Sequence, residues 1–175
     1  MKSKNGIKNM VLSAMFLAVA LVLPLLTGQI PEIGNMLCPM HLPILLCGFI
    51  CGPWYAMGIG LIAPILRFFI FGMPPIVPKG IPMSLELATY GLVVGLLYKL
   101  LPKKKKNVYI SLIVAMLAGR VVWGIAKTVL MGLGKIEFGW KFFLTDGFVE
   151  AVPGIILQII LIPVLVFAIN KNKND

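Results

Sequence analysis

Residues 108–133 read VYISLIVAMLAGRVVWGIAKTVLMGL. The run exceeds the ~20 residues of helix that cross a bilayer. Its only ionisable side chains besides Tyr109 are Arg120 and Lys127. A cation in hydrocarbon costs about 2.5–3.5 kcal/mol on insertion scales, so it is retained where it is paired or lines a wet cavity. Arg120, Trp123 and Lys127 stand at i, i+3 and i+7, which places them on one helix face. The stretch therefore reads as a transmembrane helix carrying a charged, aromatic stripe.

The rest of the chain repeats this pattern. Arg67, Glu86 and Glu150 also fall inside apolar stretches. Hydrophobic residues make up 59% of the sequence and charged ones 13%, with a mean hydropathy of +0.99. That excess belongs to a membrane protein rather than a soluble domain. The formal charge of +10 does not signal nucleic acid. The lysines cluster at the chain ends and in Lys103–Lys106, between two apolar segments, as in cytoplasmic loops. The apolar run Met10–Leu26 lacks a small-x-small cleavage site and reads as a retained first span. Cys38, Cys47 and Cys51 give an odd count and no disulfide framework. Cys47 and Cys51 share a helix face and have His41 nearby in sequence, but buried cysteines commonly serve as small hydrophobes. No metal or cofactor is expected.

The segmentation predicts an all-α integral membrane bundle of six transmembrane helices in one domain, 1–175, with both termini cytoplasmic. The spans are about 7–27, 42–52, 53–72, 83–101, 108–133 and 147–169. Gly52-Pro53 marks the turn between the second and third, since proline cannot continue the donor ladder. A single kinked helix there would leave five spans and put the termini on opposite sides. With six spans, ten lysines (2, 4, 8, 99, 103–106, 171 and 173) lie inside and three (79, 135 and 141) outside, as the positive-inside rule favours. The outer loops are then 28–41, 73–82 and 134–146. The second, rich in proline, reads as stiff and extended. No G-x-x-x-x-G-K-[ST] motif occurs, so uphill transport would need ion coupling or a separate energising subunit. No long-period repeat supports a two-halves design.

In this topology Arg67, Glu86, Lys127 and Glu150 occupy the outer third of the membrane and Arg120 lies near mid-depth. An outward-opening cavity is expected. Glu86 and Tyr90, at i and i+4, share a face. The five charges sum to +1, which suits a carboxylate-bearing ligand. A structural role stays open: Arg67–Glu86 and Lys127–Glu150 would then be permanent ion pairs, Trp123 and Tyr90 core or belt aromatics, and His41 an interfacial residue. Three small-residue pairs, Ala14/Ala18, Gly48/Gly52 and Gly91/Gly95, allow close helix approach.

Several strings together resemble the substrate-binding S component of energy-coupling factor (ECF) vitamin transporters. They are Ser13-Ala14-Met15-Phe16-Leu17-Ala18-Val19-Ala20, His41-Leu42-Pro43-Ile44-Leu45-Leu46-Cys47-Gly48-Phe49, Ala63-Pro64-Ile65-Leu66-Arg67, Phe71-Gly72-Met73-Pro74-Pro75 and Glu86-Leu87-Ala88-Thr89-Tyr90-Gly91. The resemblance implies a multi-pass protein of a prokaryotic plasma membrane. Such a protein binds a vitamin or precursor from outside and docks on a membrane coupling subunit carried by two ATPases. It has no ATP site and is not an enzyme. Ala14 and Ala18 would form the docking face. Asn35, His41, Arg67, Lys79, Glu86, Tyr90, Arg120, Trp123, Lys127 and Glu150 would surround the ligand. Arg120 or Lys127 would meet a carboxylate, Glu86, Tyr90 and Asn35 would bond hydroxyls, and Trp123 would wall the site. A pantothenate-like acid ranks first, with riboflavin, pyridoxine and hydroxymethylpyrimidine as alternatives. An autonomous ion-coupled carrier is a further reading. An intramembrane enzyme using Glu86, Glu150 and His41 is disfavoured, because the chain has one histidine and no H-E-x-x-H motif.

Overall fold

Apolar runs that must satisfy every backbone donor internally become helices in lipid. A computed structural model of the chain describes residues 2–25, 39–102, 104–134, 145 and 151–171, and it is all-helical across them. The helices are α1 (Lys2–Val22, continued by a tight turn Leu23–Leu25), α2 (His41–Ile50), α3 (Pro53–Phe71), α4 (Ile81–Leu100), α5 (Lys105–Gly132) and α6 (Val152–Lys171).

Five of these six are long and apolar enough to cross a membrane. The exception is α2, expected as a short second span. It has ten residues, or about 15 Å of rise, which is roughly half the hydrocarbon thickness. The proline-rich segment also departs from expectation. Pro75 and Val77 are extended, but Ile76–Gly80 closes one wide turn, and Gly80 N–H donates to the Pro75 carbonyl at 2.8 Å.

Helix directions follow from residue-to-residue contacts. A Cβ built on Gly95 would meet Pro53, on Gly91 Ala56 and on Gly60 Leu87, so α3 and α4 are antiparallel. His41 lies against Glu86 and Tyr90, whereas Gly48 lies against Gly91, Val94 and Gly95. Hence α2 runs parallel to α4 and opposite to α3. The chain reverses at Cys51–Gly52 in a true hairpin, not a kinked helix. Gly52 sits at φ +97°, a region few other residues tolerate. Pro53 opens α3, where its missing N–H costs nothing.

On α1, Tyr55 donates to the Gly6 carbonyl and Asn9 to the Cys51 carbonyl, both at 3.3 Å, while Arg67 donates to the Leu21 carbonyl. This sets α1 parallel to α3. Tyr109, at the start of α5, lies 6.4 Å from Phe167, near the end of α6. The six helices thus alternate in direction, and both ends of the described chain emerge at the same end of the bundle. Lys99 and Lys104–Lys106 share that end.

The bundle is inside-out relative to a soluble one. Val121, Ile125 and Val129 of α5 are exposed, as are Ile7, Met15 and Val19 of α1. His41, Arg67, Glu86, Arg120, Lys127 and Gln158 are buried. Lipid tails are as apolar as leucine, so contact between helices rests on close packing. Gly60, Gly91 and Gly95 supply it at the α3–α4 interface, where an added Cβ would fall 2.6 Å from opposing backbone. The Gly48/Gly52 pair divides its work: Gly48 gives close approach and Gly52 gives the turn. Gly91→Val should therefore destabilise the bundle by about 1–3 kcal/mol, the usual cost of overpacking. Thermal unfolding in detergent will read this, and Gly58→Val, with open space around it, should leave the midpoint nearly unchanged.

Candidate functional site

Glu86 is the centre of the polar interior. It is the sixth residue of α4, at the end of the bundle away from Lys99 and Lys104–Lys106, and is 2% exposed. Three helices converge on its carboxylate. Arg120 Nη1 of α5 lies 3.1 Å from Oε1. The Tyr90 hydroxyl, one turn along α4, donates to the same oxygen at 2.8 Å. His41 Nε2, the first residue of α2, lies 3.7 Å from Oε2. The His41 and Tyr90 rings face each other at 5.3 Å. A buried carboxylate is tolerated when neutralised and hydrogen-bonded in this way.

The stripe on α5 extends the cluster outward. Arg120 Cζ lies 5.9 Å and Lys127 Nζ 5.0 Å from the Trp123 ring, so the indole is flanked by two cations. Both cations are buried, at 7% and 8% exposure. The result is a ladder running from His41 and Tyr90 through Glu86 and Arg120 to Trp123 and Lys127. It offers positive charge, an aromatic face and hydrogen-bonding groups within one connected patch.

Not every expected residue joins it. Arg67 is buried, but its contacts are the Leu21 carbonyl and the Phe71 ring. The Arg67–Glu86 pair is therefore corrected: Glu86 pairs with Arg120. Arg67 instead serves the C-terminal turn of α1, whose carbonyls lose donors because Pro24 has no N–H. Lys79 is exposed on the turn before α4. Asn35 and Glu150 lie outside the described residues, as does any Lys127–Glu150 pair. Ala14 and Ala18 both lie on the exposed face of α1, the least buried of the long helices. Among the described residues no group of three His, Cys, Asp or Glu side chains could hold a metal.

Two residues were missed. A Cβ on Gly119 would sit 2.1 Å from the Tyr90 ring, so glycine there is what lets Tyr90 lie beneath Arg120. Its neighbour Arg120 was the available signal. Gln158 of α6 is 2% exposed, and its Oε1 has no hydrogen-bond partner among the described residues. Counting nine residues from Phe167 and eleven from Tyr109 along their helices, Gln158 and Arg120 lie within about 3 Å in depth. A lone amide in an apolar run was the sign. Ser84 Oγ and His41 Nδ1 are likewise buried without a partner among the described residues.

Removing one member of the central pair leaves the other charge stranded. Arg120→Ala should cost about 3–5 kcal/mol. Adding Glu86→Gln to that variant should recover much of the loss. Denaturation of the two single variants and the double variant measures the coupling, and independent, additive effects would contradict the pairing.

No curated protein and no solved structure gives a significant match to the chain. The family model described as the substrate-specific component of ECF transporters matches residues 8–166. That match covers α2 to α5 whole and most of α1 and α6, and the chain belongs to the family of ECF transporter substrate-specific components, which are multi-pass membrane subunits that bind a small molecule and work within a larger membrane complex.

Proposed function

We propose that the chain captures a vitamin or vitamin precursor from outside a prokaryotic cell and releases it inward after docking on a coupling subunit energised by two ATPases. A pantothenate-like acid is the first-ranked ligand. The observation carrying this reading is the Glu86–Arg120–Trp123–Lys127 ladder. It lies at the bundle end opposite Lys99 and Lys104–Lys106, which by the positive-inside rule is the external end.

The pairing divides the labour among the cations. Arg120 is engaged by Glu86, so its part is to hold that carboxylate and preserve the local charge balance. Lys127, farther out beside Trp123, would be the first cation a ligand carboxylate entering from outside meets, with the indole packing against the adjacent carbon skeleton. Tyr90, His41 and Gln158 supply hydrogen-bonding groups at the deeper end for hydroxyl or amide functions. Asn35, Lys79 and Glu150 complete the proposed ligand set, while Arg67 would act indirectly by anchoring α1. The exposed alanines of α1 offer a shallow surface for a helix of the coupling subunit.

Binding of a vitamin panel to the purified chain, read by calorimetry, tests the assignment. Saturable binding of pantothenate without chemical change is the expected result. Lys127→Met should weaken it by about tenfold or more, as loss of a charge-assisted hydrogen bond implies, while barely affecting a neutral vitamin. Preference for a neutral ligand would remove the acid from first rank. Ala14→Trp with Ala18→Trp should abolish uptake in cells yet spare binding. Gradient-driven uptake by the chain alone in vesicles would instead establish an autonomous carrier.

A further inference from the structure

We propose that the lysine-rich end of the bundle is a binding surface for anionic phospholipid headgroups. This inference needs only that the chain spans a membrane and does not depend on the ligand.

Lys99, Lys104, Lys105 and Lys106 are all exposed at this end. Of the six acidic residues in the chain, only Asp175 falls in a segment leading to it. Glu86 is in the cluster above, and the other four lie in sequence between α1 and α2 or between α5 and α6. The first turn of α5 sharpens the imbalance. Lys104 occupies its N-cap, Lys105 and Lys106 follow, and the turn has neither an acidic residue nor a side-chain cap. Cations at the positive end of a helix dipole are unfavourable unless an anion sits beside them.

The apolar surroundings point to lipid as the source of that anion. Trp54 is 68%, Leu100 77% and Tyr109 39% exposed. Pro53 packs on Gly95, which places Trp54 about one turn from the level of Lys99. Exposed aromatics beside flexible ammonium groups mark the depth where acyl chains meet headgroups. A phosphate there would neutralise the lysines while its acyl chains cover the collar.

Changing Trp123 and Trp140 to Phe leaves Trp54 as the sole tryptophan. In phosphatidylcholine vesicles, its quenching by brominated phosphatidylglycerol relative to brominated phosphatidylcholine gives a relative affinity. The same ratio is measured on the unaltered chain from the phosphatidylglycerol that co-purifies out of mixed vesicles. About fivefold enrichment is expected, the effect of one lysine held near an anionic surface. It should fall towards unity in ~1 M salt, drop markedly in K99Q/K104Q/K105Q/K106Q and persist in K79Q. A ratio near unity in the parent chain, or an unchanged ratio in the fourfold variant, would overturn the proposal. The cationic end would then be a surface for an acidic protein.

Discussion

A carboxylate at 2% exposure in a lipid-embedded bundle must be neutralised, and the way Glu86 achieves this fixes the interior. Arg120 brings α5, Tyr90 keeps the contact within α4, and His41 sets where α2 begins. The arrangement also dictates local sequence. Tyr90 reaches Glu86 only because Gly119 presents no side chain beneath Arg120. The polar centre and the glycine contacts are thus one constraint: strong electrostatics demands short range, and short range demands small residues between the helices.

Much of this was legible in the sequence because helical periodicity is local. The i, i+3, i+7 stripe on α5 and the i, i+4 pair Glu86/Tyr90 required no knowledge of neighbours, and both occur as expected. The small pair Gly91/Gly95 was readable for the same reason. Pairing between helices was not. Arg67 and Arg120 are both cations at plausible depth, and helix rotation, which no one-dimensional pattern encodes, decides which one meets Glu86. The α2–α3 boundary was visible as Gly52-Pro53, but hairpin and kink share that signature. Only the opposite courses of α2 and α3 along α4 separate them. Gln158 escaped notice because a reading of ionisable residues overlooks a neutral amide, although burying one in an apolar interior is also expensive.

Helix α1 packs Ala20, Leu12, Phe16 and Leu17 against the core, is tied near its ends by polar contacts from Asn9, Tyr55 and Arg67, and leaves Ala14 and Ala18 facing outward. The Glu86 cluster draws on α2, α4 and α5 and not on α1. In the proposed role, the surface that meets a partner and the groups that hold a ligand are therefore mechanically separable. Damage to one should leave the other largely intact.

The length of α5 has a separate consequence. At 28 residues it rises about 42 Å, more than a hydrocarbon slab of ~30 Å accommodates upright. It must tilt or overshoot into the polar zone of one leaflet. Lys127, about 33 Å along the helix from Lys105, then stands at the wet margin, while Arg120, some 10 Å deeper, remains in the dry slab. The ladder accordingly spans a dielectric gradient. In the proposed role, an anion descending it would meet the Lys127 ammonium first and exchange its water stepwise for protein dipoles, rather than being dehydrated all at once.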